Sequence, residues 1–254
     1  MSACKDCFKG VRHEGTPEGK WEKIAGVDCY ISTPSGDYAK EKVLLFLTDA
    51  SGPSCPTTRF LLADDFARNG FKVVAPDYFA GDVVPDEIMS DPELIAKFDI
   101  PAWCAKNGNG ARRPLIHAVI NALKAEGVTD FGATSYCFGG WYTFDLAIDR
   151  LIKAAACSHP SFVKSPEDLE KYAKNAIAPL LINSCEVDDQ FPLAAQAQAD
   201  AILGDGKFAP GYKRTYWEGC VHGFAVRGDM SDPKVKAGKE GAFEATVQWM
   251  KEHL

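Results

Sequence analysis

Residues 134–140 read Thr-Ser-Tyr-Cys-Phe-Gly-Gly, a cysteine at the end of an apolar run and just ahead of paired glycines. A residue at the tip of a tight strand-to-helix turn is pushed out of its sheet, and small neighbours are needed where the helix passes close to the strand. In the G-x-S-x-G form of that turn, Cys137 takes the nucleophile position and Ser135 replaces the first glycine. Sulfur placed there faces a helix N-terminus, whose dipole and N–H groups favour a thiolate and an anionic intermediate. The N–H of Phe138 supplies half of an oxyanion hole, and Ala50, in LTDASGP after the run VLLFL, is placed to supply the other half. The competing reading of the window is a small buried structural thiol.

A nucleophilic thiol needs a base, and the base needs an orienting carboxylate. Of the five histidines, His13 and His253 lie near the termini, His117 falls in a helical run, and His159 follows an apolar run just before Pro160. His222 stands apart in GCVHGFAVRGD, between a late strand and the terminal helix, with glycines that suit a loop approaching a pocket. Asp188 and Asp189 lie directly beyond PLLINSC. The chain order Cys137, Asp188, His222 is the nucleophile, acid, base order of the α/β-hydrolases, and the steps between them leave room for a helix and a strand. A papain-like site would run Cys, His, Asn, and a glutamine amidotransferase would place a carboxylate two residues after the histidine, where Phe224 stands. The C-x-x-C pair Cys4 and Cys7 lacks a following βαβ unit and a second metal pair, so no metal or redox centre is expected there.

The elements that must hold these residues are legible as short apolar runs at 27–33, 43–48, 71–76, 131–137, 152–158 and 179–185, with a later one at YKRTYW. Between them run helical patterns, the clearest being Leu115, Val119 and Leu123 with Gly127 as a stop, and Phe243, Val247, Met250 and Leu254 at the end. Strand alternating with helix predicts an α/β fold: a mainly parallel central sheet covered by helices on both faces. No repeat or composition shift divides the 254 residues, and a single domain over 1–254 is expected. Residues 80–113 have no clean pattern and read as a surface excursion with a short helix, or as a flap over a pocket.

Composition narrows the partners. The chain is 46% hydrophobic and 25% charged, without an apolar stretch near the roughly 18 residues of a membrane span. A net charge of −7 with scattered Lys and Arg argues against a nucleic-acid surface. Nine cysteines, an odd number without regular spacing, and an N-terminus unlike a secretory signal predict mostly free thiols and a cytoplasmic protein.

In their order, SYCFGG, EVDDQFP and HGFAVRGD make the chain resemble the dienelactone hydrolase family, particularly its fungal members, and CFKGVRHEGTPEGK resembles the fungal N-terminal segment. The resemblance implies an α/β-hydrolase fold, with Cys137 as nucleophile, Asp188 as acid and His222 as base. It further implies that Asp49 influences the resting state of the thiol and that Arg227 holds a substrate carboxylate. The loop DYFAGDVVPD lacks the arginine usual in bacterial members. Tyr78, Phe79 and Trp103 make the expected pocket more aromatic, suiting a lactone other than dienelactone, an enol ester or an aromatic metabolite. The expectation is a cofactor-free hydrolase of a small lactone or ester, monomeric or homodimeric. The alternatives are a silent ligand-binding protein of the same fold, or a biosynthetic enzyme using the site for cyclisation.

Overall fold

The computed structural model describes residues 9–53 and 58–254; the Cys4 and Cys7 pair lies outside them. Eight strands form one sheet: β1 (Lys20–Ile24), β2 (Val27–Ser32), β3 (Lys42–Leu47), β4 (Val73–Pro76), β5 (Asp130–Tyr136), β6 (Ala154–Ser158), β7 (Leu180–Val187) and β8 (Tyr212–Val221). Their spatial order is β1-β2-β4-β3-β5-β6-β7-β8. The strands from β4 to β8 in that order pair in parallel, and β2 pairs antiparallel with both β1 and β4. The mainly parallel sheet expected from the sequence is therefore present, with an antiparallel edge. Polar, mostly exposed β1 is an element that a search for apolar runs passes over.

Ten helices complete the described chain: α1 (Thr58–Arg68), α2 (Asp86–Ser90), α3 (Pro92–Lys97), α4 (Ile100–Asn107), α5 (Asn109–Ala125), α6 (Gly139–Ile148), α7 (Glu167–Asn175), α8 (Leu193–Leu203), α9 (Phe224–Arg227) and α10 (Pro233–His253). The central strands are mostly buried and largely apolar because both faces are covered. Val43, Leu45 and Leu47 of β3 join one core with residues of α5, α6, α7 and α8, while Leu44 and Phe46 join the opposite core with α1, α9 and α10. That split is the period-2 alternation of a strand, with each face meeting its own helix layer.

Helix ends follow local chemistry. Gly127, at φ +99°, ends α5 in the left-handed conformation that glycine adopts without a Cβ penalty. The Asp232 side chain accepts hydrogen bonds from the N–H groups of Lys234 and Val235, starting α10 ten residues before the first apolar position read from the sequence. Residues 80–113, read as a surface excursion with a short helix or as a flap, contain α2, α3, α4 and the start of α5, and the middle of α4 brings Trp103 back against the body.

The chain leaves β3 for β4 on one side and crosses back past β3 to β5 on the other. In open parallel sheets, such a reversal opens a crevice at the carboxyl ends of the strands. The segments carrying Asp49, Cys137, Ser161, Asp188 and His222 all leave the sheet at that end.

Candidate active site

Cys137 occupies the turn from β5 into α6 at φ +50°, a left-handed conformation uncommon for a residue with a side chain. Small residues make this turn possible. A Cβ on Gly139 would lie 2.3 Å from the Leu47 carbonyl oxygen, and one on Gly140 would lie 2.7 Å from Cβ of Pro160. Ser135, where the usual motif has glycine, fits inside the sheet and donates from Oγ to the Ala156 carbonyl at 3.3 Å. Phe138 caps the start of α6, and Ala50 lies just beyond β3.

The acid and base meet as the chain order suggests. Nδ1 of His222 donates to Oδ1 of Asp188 at 2.8 Å. The same carboxylate oxygen accepts the N–H groups of Gln190 at 2.9 Å and Phe191 at 3.1 Å, and the Cys185 thiol approaches Oδ2 at 3.8 Å. Asp188 is buried and held from several sides, whereas the adjacent Asp189 is exposed. The imidazole of His222, with its side chain 22% exposed, faces the Cys137 thiol, which is itself almost completely buried.

Electrostatics favour an ion pair. Burial pushes the Cys137 thiol up, but the charge and hydrogen bond of His222, with Arg227 behind them, outweigh burial and hold the thiol below its ordinary value. Burial likewise opposes protonation of His222, yet the Cys137 thiolate and the Asp188 carboxylate raise it to about 10. Each charge is stabilised chiefly by the other, so the two groups titrate as a pair.

Asp49 and Arg227 form an ion pair across the site, with Asp49 fully buried and the Arg227 side chain largely so. Arg227 therefore spans from α9 to the loop after β3 instead of projecting into solvent. Tyr78 and Phe79 have no exposed surface, and the Tyr78 hydroxyl donates to the Thr48 carbonyl. Phe79, Trp103 and Phe138 pack together with ring centroids 5.2 to 5.4 Å apart, and the Trp103 indole N–H donates to the Asp82 carbonyl at 3.0 Å. Phe162, 38% exposed, closes this cluster on the outside, against Phe138 and stacked on Trp141.

The sequence reading gave no role to two neighbours: it did not single out Ser161, and it set His159 aside in favour of His222. Ser161 Oγ lies 3.3 Å from Cys137 Sγ and 3.5 Å from His222 Nε2. The buried His159 ring stands edge-on to His222 with centroids 4.9 Å apart, and burial first, then the charges of His222 and Arg227, keep it neutral. The available signal was the segment SHPS at the carboxyl end of the apolar run 152–158, next to β5, which leads into Cys137.

Among the described residues, no group of three or more His, Cys, Asp and Glu is arranged to hold a metal ion, and no helix is long and apolar enough to cross a membrane. The described cysteines are free thiols.

The sequence profile of the dienelactone hydrolase family matches residues 27–254. The chain belongs to the dienelactone hydrolase family. It is accordingly an ester or lactone hydrolase by class. The chain is similar to hydrolase tropI of Talaromyces stipitatus, 30% identical over 98% of this chain and 95% of that one. Dienlactone hydrolase 1 of Gibberella moniliformis is 28% identical over 96% of this chain and 91% of its own. A putative dienelactone hydrolase from Klebsiella pneumoniae superposes with a TM-score of 0.72 at 16% identity, covering 93% and 99% of the two chains. That likeness concerns the fold, which is the α/β-hydrolase fold expected from the motif order.

Proposed function

We propose that this member of the dienelactone hydrolase family cleaves a small lactone or ester through a Cys137, Asp188, His222 triad and a thioester intermediate. The observation that carries the reading is the 2.8 Å bond between Asp188 and His222, with the imidazole turned toward a thiol held below its ordinary value at a left-handed elbow. In this reading, the Cys137 thiolate attacks the carbonyl carbon, a C–S bond forms, and the carbonyl electrons move onto oxygen. The N–H groups of Phe138 and Ala50 hold that oxyanion. As the tetrahedral intermediate collapses, the C–O bond to the leaving group breaks and His222 gives its proton to the departing oxygen. The neutral imidazole then takes a proton from water, which attacks the thioester, and the acid product leaves with the thiolate and imidazolium restored.

Asp49 and Arg227 supply the recognition end of the site. Arg227 already holds one carboxylate, so a substrate carboxylate would share or replace Asp49 on the guanidinium. Loosening that pair changes the charges around the sulfur, since Arg227 lowers the thiol and Asp49 raises it. Phe162, the exposed member of the aromatic set packed on Phe138, offers a ring to a flat, unsaturated substrate, while Phe79 and Phe138 are buried behind it. The names of the relatives, hydrolases and dienlactone hydrolases, agree with this class.

The test is a panel of lactones and aryl esters, with hydrolysis followed spectroscopically and acyl adducts detected by intact mass. At least one member should be hydrolysed and should leave a transient adduct mapped to Cys137. The Cys137→Ala variant should retain its fold, form no adduct and lose turnover. Turnover that survives in Cys137→Ala would overturn the triad.

A further inference from the structure

The turn after β6 is tied to the elbow in register. The Cys137 N–H donates to the Ser158 carbonyl at 3.1 Å, and the Ser161 N–H donates to the Cys137 carbonyl at 2.9 Å. Gly140 leaves no space for a Cβ against Pro160, which lies between those two bonded residues. Ser161 is thus placed by the same backbone that places the nucleophile. Its hydroxyl is 2% exposed as a residue and lies 3.3 Å from Cys137 Sγ and 3.5 Å from His222 Nε2. The second distance is long for a hydrogen bond, as contacts in unliganded active sites often are.

A hydroxyl both donates and accepts, so it can satisfy sulfur and imidazole together. With the thiolate and imidazolium formed, Ser161 O–H donates to sulfur while its oxygen accepts the Nε2 proton. The edge-on His159 ring packs against His222 without adding charge, and Asp188 fixes the Nδ1 end. Nε2 is thereby directed toward the corner that sulfur and Ser161 share.

We propose that Ser161 is a further catalytic residue, whose hydroxyl bridges Cys137 and His222 and stabilises the thiolate–imidazolium pair before attack. This rests on the triad reading above. When sulfur forms its bond to the carbonyl carbon it loses its negative charge, and the Ser161 hydroxyl loses that acceptor. The Nε2 proton then passes to the leaving oxygen as the C–O bond breaks, and Ser161 keeps its own proton throughout. The bridge therefore acts on the resting nucleophile and orients the proton that the leaving group receives.

The readout is the pH dependence of Cys137 alkylation by iodoacetamide, followed on the Cys137 peptide by mass spectrometry so that other cysteines do not interfere. The groups that act on this sulfur from the surrounding elements are His222, Arg227, Asp49, Tyr78 and Cys104, while His159 and Asp188 act through His222. All of them remain in Ser161→Ala, so a shift reports the hydroxyl. A hydrogen bond to an anion has a strength that predicts a rise of about one pH unit in the alkylation midpoint. Below that midpoint kcat/KM should fall about tenfold, while Ser161→Thr, which keeps a hydroxyl, should titrate within a few tenths of a unit of the parent. Where Ser161→Ala does not fold, Ser161→Gly removes the same group and is read in the same way. An unshifted midpoint in a folded hydroxyl-free variant overturns the proposal. If Cys137→Ala retains turnover, the triad has failed; if turnover needs Cys137 and Ser161→Ala titrates normally, only the bridge has failed.

Discussion

Asp188 and Asp189 are chemically identical neighbours, and their surroundings separate them. Asp188 is buried, accepts two backbone N–H groups and receives Nδ1 of His222, while Asp189 is exposed. Asp188→Asn should lower kcat/KM on the order of 100-fold, because an amide neither fixes the imidazole tautomer nor stabilises its charge. Asp189→Asn should stay within about twofold of the parent. A larger loss at Asp189 would transfer the acid role to it. The pH profile gives a second reading of the same residue. His222 loses its proton at about 10, and Asp188 contributes to that raised value, so the alkaline limb of kcat/KM belongs near there. Removing the carboxylate charge lowers the His222 value, and the alkaline limb of Asp188→Asn should move to lower pH.

At the scale of the element, the elbow depends on how closely α6 crosses β3. A Cβ on Gly139 would meet the Leu47 carbonyl oxygen at 2.3 Å and the Thr48 carbonyl oxygen at 2.8 Å. Backbone atoms inside a packed sheet cannot give way as a flexible side chain can. Gly139→Ala should therefore destabilise the fold by about 3 kcal/mol, measured by urea denaturation, and displace Cys137 enough to slow alkylation. Unchanged stability would mean that the helix can move away from the strand at little cost. Ser135 shows the contrast: the first glycine of the usual motif is dispensable here because its position faces a space that a hydroxymethyl group fills with a bond to Ala156.

Across the whole molecule, the segment before β1 forms no strand in its described part and is held by the acids of α1. The Arg12 backbone and guanidinium both bond to Asp65, each at 2.6 Å, and the Glu18 N–H donates to Asp64 at 2.7 Å. Asp65 is fully buried, and Arg68 is its other cation at 3.1 Å. Arg12→Met keeps the stem but leaves Asp65 to Arg68 and the backbone. Breaking a buried pair costs about 3–5 kcal/mol, which partial exposure of Arg12 and the remaining cation reduce to about 2 kcal/mol. Chemical denaturation should show that loss, with Asp65→Asn added to Arg12→Met recovering part of it. Equal stability of Arg12→Met and the parent would mark the segment as an independent overlay.

The alternation of strand and helix could be read from the residues alone, because strands buried on both faces are largely apolar and the turns between them need glycine and polar residues. So could the order of Cys137, Asp188 and His222, because each follows a strand-like run at the end where a parallel sheet exposes its loops. Tertiary structure alone decided what those loops touch. Polar β1 is a strand because β2 offers it hydrogen bonds, which no periodicity announces. Arg227 meets Asp49 across 178 residues, and Ser161 meets Cys137 through a turn after the neighbouring strand. Such contacts are set by strand order and register, and these follow from how the two core layers pack against the sheet, so no local stretch of sequence contains them.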